Sequence, residues 1–260
     1  RFAEALGDTN DAQRLLHRSL NYRNIYDPSV GNMRAKNGDG SWTVWQGATV
    51  EGQGCVESNP YQQTWFVPQD VAGMIELMGH DYFVNYLTTF FEKTPLTFGW
   101  NEYCNHANEP VHHTAYLFTY AGKPWLTQKW ARTIMNDAYG PGVKGLCGNE
   151  DVGQMSAWYI LSAAGIYPVS PVDGIYLIGS PLFDEMTFRL DPHYYAGKTF
   201  TVRTHHNSAE NMYVQSATLN GKALKRAWLR QSEVAAGGVL ELEMGPKPNK
   251  SWGNNPAAAP

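Results

Sequence analysis

The stretch Gly148-Asn149-Glu150-Asp151-Val152-Gly153-Gln154-Met155-Ser156-Ala157-Trp158 sets an amide and two carboxylates between glycines, directly ahead of an apolar segment. The pattern predicts a helix from Glu150 to Ala164, closed by Gly165. Two similar polar turns stand upstream, Glu57-Ser58-Asn59-Pro60 and Asn108-Glu109-Pro110, and each also runs into a helix-like segment. The three turns are therefore expected to meet at one site.

Between these turns the helices come in pairs. Pro68 is expected to open a helix through Val71, Met74, Ile75, Leu77 and Met78 that stops at Gly79, followed by a second from His80 to about Lys93. Pro110 opens another, ending at Gly122, and Pro124 starts its partner, running to Tyr139. Short joints make antiparallel hairpins, the pattern of a helical bundle or toroid. Upstream, Asp11 to Tyr22 carries apolar residues at helical spacing after cap-type residues, and the Gly- and Asn-rich run from Asp27 to Gly54 reads as a long ordered loop.

After Pro168 the period changes. Ile175 to Ile178, Met186 to Leu190, Thr199 to Thr204, Met212 to Leu219 and Val239 to Met244 read as short strands, with Asn220-Gly221 as a turn. The expected class is α+β: a helical region over residues 1–173, a β-rich region of sandwich type over 174–253, and a fraying tail over 254–260.

The 260 residues, 43% of them hydrophobic, can bury a sizeable core. A formal net charge of -4 supplies no basic field for a phosphate backbone or an anionic membrane surface, so no nucleic-acid or membrane partner is expected. Nine Trp and fifteen Tyr suit core packing first and the C–H faces of sugars second. Three cysteines, Cys55, Cys104 and Cys147, form neither a disulfide framework nor a metal-type spacing. The opening Arg1-Phe2-Ala3-Glu4-Ala5-Leu6-Gly7 reads as the end of a helix, as expected for part of a longer protein.

Each polar turn alone is accounted for by helix capping, because unpaired N–H groups and the dipole favour carboxylates and amides there. Together they offer more. Glycosidic hydrolysis by inversion needs one protonated and one ionised carboxyl about 6.5–9.5 Å apart, a spacing that separate loops can supply. Asn108 and Glu109 offer the oxygen donors that a hard cation such as calcium prefers. A zinc reading of His106, Glu109 and His113 fails on Pro110, which leaves His106 outside the helix, and neighbouring His112 and His113 diverge by about 100° on a helix.

At these residues the sequence resembles glycoside hydrolase family 92. The resemblance is carried by Tyr26-Asp27-Pro28, Met33-Arg34-Ala35, Asp39-Gly40-Ser41-Trp42, Glu57-Ser58-Asn59, Gln63-Thr64-Trp65-Phe66-Val67-Pro68, Asn108-Glu109-Pro110, His112-His113 and Tyr120-Ala121-Gly122-Lys123-Pro124-Trp125. It continues through Gly148-Asn149-Glu150-Asp151, Gly165-Ile166-Tyr167-Pro168, Ile178-Gly179-Ser180-Pro181-Leu182-Phe183 and Gly245-Pro246-Lys247-Pro248-Asn249. These motifs run in order across nearly the whole chain.

The resemblance implies a calcium-dependent, inverting exo-α-mannosidase with an (α/α)6 toroid beside β-sandwich elements, of which this chain is the C-terminal part. It implies Glu57 as general acid and Asp151 as general base, with Glu150 the alternative base. Asn108 and Glu109 become calcium contacts, with Gln62 a further candidate, and His106, His112, Trp65 and Asn149 become sugar contacts. The partners implied are mannose-containing glycans and the N-terminal remainder of the protein, and the expected location is secreted or periplasmic. Ser58 and Pro60-Tyr61-Gln62 depart from the family's usual residues after the acid, which bears on leaving-group contacts. A general acid needs a desolvated carboxyl, so Glu57 is expected against Trp or Tyr. The alternatives are a non-catalytic, calcium-dependent mannose-binding fragment and a toroidal glycosidase for another sugar.

Overall fold

The computed structural model describes residues 1–255 and 260, so residues 256–259 of the expected frayed tail lie outside the described residues. The chain mixes helix and sheet. Helix α1 (Phe2–Ala5) leads into α2 (Thr9–Ser19), capped by the Asp8 carboxylate, which accepts from Asp11 N at 2.9 Å. A two-strand hairpin, β1 (Tyr26–Asp27) and β2 (Asn32–Met33), opens the long loop and is followed by the short α3 (Pro60–Gln63). Arg34 anchors that loop on Asp27 at 2.8 Å.

Helix α4 (Val71–Met78) starts three residues after Pro68, because the Asp70 side chain accepts from Gly73 N at 3.0 Å and so supplies the N-cap itself. Gly79, at φ 82°, separates it from α5 (His80–Glu92). The expected continuous helix from Pro110 to Gly122 is instead broken into two 3₁₀ turns, Glu109–Val111 and Thr114–Tyr116, before α6 (Leu117–Tyr120). One tertiary and one local side-chain bond divert carbonyls that a helix would use. Trp158 Nε1 takes His112 O at 2.8 Å and Thr114 Oγ1 takes Val111 O at 2.6 Å. Helix α7 (Pro124–Asp137) follows, and then α8 (Gln154–Ala163), which starts four residues later than the sequence predicts.

An aromatic cluster holds the helices together. Trp65 meets Phe83 edge-on at 5.5 Å between ring centroids, and Tyr61 stacks on Tyr86 at 4.2 Å, pairs of a kind worth about 0.5–1.5 kcal/mol beyond their burial. Cys55, Cys104 and Cys147 are unpaired thiols.

The β region is larger than the sequence indicates. Strands β3 (Ile166–Tyr167), β4 (Ile175–Ile178) and a later β9 (Trp228–Arg230) form one antiparallel sheet that bridges the expected 173/174 boundary. Strands β5 (Glu185–Arg189), β6 (Thr199–His205), β7 (Tyr213–Leu219), β8 (Lys222–Ala223) and β10 (Gly238–Gly245) form a second sheet in the order β5-β6-β10-β7-β8. The central β10 pairs parallel to β6, with Leu240 opposite Val202, and antiparallel to β7. Its Leu240, Leu242 and Met244 are buried at alternating positions, the period that lines one face of a sheet. A short α9 (Gln231–Ala235) separates β9 from β10.

Polar bonds tie the helices to this region: Val214 N donates to Gln128 Oε1 at 3.1 Å, and the buried Arg132 guanidinium reaches Pro181 O, Ser208 O and Asn207 Oδ1. Among the described residues, no helix is long and apolar enough to cross a membrane.

Candidate active site

Glu150 and Asp151 lie ahead of helix α8 rather than in its first turn. Asp151, Val152 and Gly153 adopt left-handed backbone in succession, at φ 52°, 58° and 93°. The Glu150 carboxylate folds forward onto the helix start, accepting from Ser156 N at 3.0 Å and Ser156 Oγ at 2.7 Å. Those two bonds, the hydroxyl first, hold its pKa below the usual glutamate value. Gly153 occupies the N-cap position, and Glu150 serves the helix start from outside by pairing the Ser156 N–H. The left-handed run then turns Asp151 the other way, onto the rim of a cavity.

That cavity, of about 510 Å³, lies between the entrance of α8 and the broken 109–120 segment. Asp151, Glu109, Gln154 and His112 line it, with Phe66 and Trp158 among its apolar walls. His112 is buried with a fixed tautomer: Nε2–H donates to His106 O at 3.0 Å, leaving Nδ1 to accept from Gln154 Nε2 at 3.2 Å. Desolvation lowers its pKa, against opposing contributions from the His106 carbonyl and Asp151, so the neutral ring is the stable form. His113, which also borders the cavity, bonds Trp65 O through Nε2 at 2.7 Å, and burial pushes its pKa down to about 4.

The three polar turns pack one upon the next. Asn108 Nδ2 donates to Glu57 O at 3.0 Å, joining the first turn to the second. Gly148 joins the second to the third, since a Cβ there would stand 2.6 Å from Ala107 Cα. Glu57 itself is exposed, at φ 51°, so within this chain its carboxyl is not in the desolvated pocket the sequence led us to expect. Beside it, Val56, Cys55, Gln53, Gln63 and Arg34 line a second cavity of about 470 Å³, which shares Phe66 with the first.

Other expected contacts lie elsewhere. Trp65 and His106 are both fully buried, which takes them away from any sugar: Trp65 is the centre of the aromatic cluster, and His106 Nε2 is spent on Tyr139 Oη at 2.8 Å. Gln62 is also buried and donates to Asn101 O at 2.7 Å and Tyr103 O at 2.9 Å, which fixes the neighbouring loop. Asn149 is exposed. Gln154 and Phe66, by contrast, line the cavity although the sequence assigns neither a site role. The signal for Gln154 was its place three residues after Asp151; Phe66, 53% exposed beside buried Trp65, carries only the alternation of an extended segment.

Among the described residues, no three His, Cys, Asp or Glu side chains cluster so as to hold a metal. Donor type still favours a hard cation over zinc, because Glu109 carries oxygen while His106 and His113 direct Nε2 to protein partners. In number, Asn108 and Glu109 fall short of the six to eight oxygens calcium takes.

The glycosyl hydrolase family 92 catalytic domain matches residues 1–246. A family GH92 alpha-mannosidase from Bacteroides thetaiotaomicron is similar over 99% of this chain and 34% of its own, at 36% identity and a TM-score of 0.91. A family GH92 inverting mannosidase from the same organism is similar over all of this chain and 37% of its own, at 37% identity and a TM-score of 0.89. A curated protein of Arthroderma benhamiae, described as an uncharacterized secreted glycosidase, is 34% identical over 79% of this chain and 25% of its own length. The chain thus spans about a quarter to a third of these relatives. It belongs to glycosyl hydrolase family 92 and falls within that family's catalytic domain.

Proposed function

We propose that this chain forms part of an exo-acting, inverting α-mannosidase that removes terminal α-linked mannose from glycans. The observation that carries the reading is the separation of roles at the α8 entrance: Ser156 holds Glu150 at the helix start while Asp151 lines a cavity shared with Glu109. Likeness to two mannosidases over nearly the whole chain supports the sugar, and the inverting one supports the stereochemistry.

In this reading Glu57 donates a proton to the leaving oxygen, and Asp151 deprotonates a water on the opposite face of the sugar, releasing β-mannose. Asn108 and Glu109 would hold calcium with the sugar's own hydroxyls; when bound, the ion supplies positive charge that orients those hydroxyls and favours a flattened ring. A general acid at neutral pH needs desolvation, so the exposed Glu57 face is taken to close against the substrate and the rest of the longer protein. The helical residues 1–173 are read as the C-terminal part of an (α/α)6 toroid, and residues 174–253 as β-sandwich elements beside it. Action on external glycans places the protein in a secreted or periplasmic setting, in keeping with the secreted fungal relative.

The test is proton NMR of mannose release from α-linked mannobioses by the full-length protein, with and without a chelator. Release of β-mannose that Glu57→Gln abolishes and chelation suppresses is the expected result. No release from any linkage would leave the mannose-binding reading, which the exposure of Glu57 favours.

A further inference from the structure

Gln154 is the one amide on the cavity wall whose orientation is dictated from behind. The chain of bonds starts at Tyr139, whose Oη donates to Met155 O at 3.2 Å and so receives from His106 Nε2 at 2.8 Å. His106 O in turn receives His112 Nε2–H at 3.0 Å, which leaves a lone pair on His112 Nδ1. Gln154 Nε2 donates to that lone pair at 3.2 Å. The same amide also donates to the Tyr167 hydroxyl, which lines the cavity beside it. With both N–H groups committed, to His112 and to Tyr167, the amide has Oε1 left as a pure acceptor. Trp158 Nε1 donates to His112 O at 2.8 Å and fixes the backbone there, while the Nε2–H bond to His106 O holds the ring itself.

Gln154 follows Asp151 by three residues, and the left-handed run between them brings both to the same cavity. An attacking water carries two protons. Asp151 removes one; the other needs an acceptor to hold the oxygen lone pair on the anomeric carbon, and a neutral amide oxygen accepts without competing for the proton. We propose that Gln154 Oε1 is that second acceptor, with His112 the positioning residue that holds its amide in register. The proposal rests on the mannosidase reading above. In the step, the water oxygen bonds to C1 as the glycosidic C–O bond breaks, the leaving oxygen takes the Glu57 proton, and the water's first proton passes to Asp151 and then to solvent. The second stays on the new hydroxyl, still shared with Gln154.

The test uses the full-length protein, its Gln154→Met and Gln154→Glu variants, and Asp151→Asn and Glu57→Gln as references. Gln154→Met is expected to lower kcat by about 10- to 100-fold, the scale of one hydrogen bond to a group that gains charge, as the water does when it attacks, with KM and the affinity for free mannose within about threefold. A 4-nitrophenyl leaving group should restore Glu57→Gln, which lacks the acid, and leave Gln154→Met slow, because the defect lies at the water. Gln154→Glu, similar in size and still an acceptor, guards against a variant that fails to fold. Its carboxylate faces a lone pair at His112 Nδ1, so it should also be slow with KM retained. A kcat unchanged in Gln154→Met, a rise confined to KM, or recovery on the activated substrate would overturn the proposal while Asp151→Asn stays inactive. A wild-type protein that cleaves no α-mannoside fails at the reading beneath it.

Discussion

Asn108 donates its side-chain amide to the main-chain carbonyl of Glu57 at 3.0 Å, across 51 residues of chain. Glu57 sits at φ 51°, a backbone region that non-glycine residues occupy only when their surroundings hold them there. The bond is therefore a brace on the proposed acid as well as a property of the proposed calcium contact. Asn108→Ala should lower stability by about 1 kcal/mol, the net worth of one hydrogen bond, and lower kcat on an unactivated mannoside by more than the stability change alone explains. Thermal melting beside turnover on 4-nitrophenyl and unactivated mannosides checks this. Equal losses on the two substrates would mean that Asn108 does not act through Glu57.

The two acidic neighbours at the α8 entrance should separate cleanly. Glu150→Gln loses a charged acceptor for Ser156, so its melting temperature should fall while turnover stays within an order of magnitude of wild type. Asp151→Asn should melt like the wild type and lose turnover by at least the 10²-fold typical of a removed base. The reverse pattern would exchange their roles.

Much of this arrangement could be read from the residues and some of it could not. Helices α5 and α7 and strands β4, β5, β6, β7 and β10 follow from local periodicity and Gly or Pro boundaries, which is information the sequence carries in place. The late start of α8 does not, because it depends on the Glu150 carboxylate reaching Ser156 and on three successive left-handed residues, only one of them glycine. The broken helix after Pro110 depends on Trp158, which takes a carbonyl 46 residues away. Trp65 and His106 read as sugar contacts because aromatic and imidazole groups suit both roles; burial decides between them, and burial is a tertiary fact. Strands β3, β8 and β9 are two or three residues long, too short for any period to show.

Val152 shows that the α8 entrance is strained. It is β-branched, fully exposed and at φ 58°, so it packs on nothing that would offset a conformation costing about 1–3 kcal/mol. Val152→Gly removes that strain at the smaller expense of a more flexible unfolded chain, about 0.4–1 kcal/mol. The variant should melt a few degrees higher with activity retained, provided Gly153 and Asp151 keep the turn. A lower melting temperature would show that the valine side chain has a partner in the full-length protein.

The buried imidazoles around the cavity set an acid limit on stability. His113 has its pKa pushed down to about 4 by burial, and burial lowers His106 and His112 as well. In the unfolded chain the same rings titrate near 6.5. Between those values the unfolded state binds more protons than the folded one, so stability rises with pH across that window. The full contribution is present above about pH 6.5 and is lost as pH falls towards 4, and for His113 alone it is on the order of 3 kcal/mol. Carboxylates that the fold holds ionised, Asp27 among them, lose stability in the same direction at lower pH. Denaturant melts from pH 7.5 to 4.5 should show a steep decline beginning near 6.5. His113→Asn, which keeps a donor and removes the titration, should flatten the upper part of that decline. An unchanged slope would move the acid sensitivity to the other two rings.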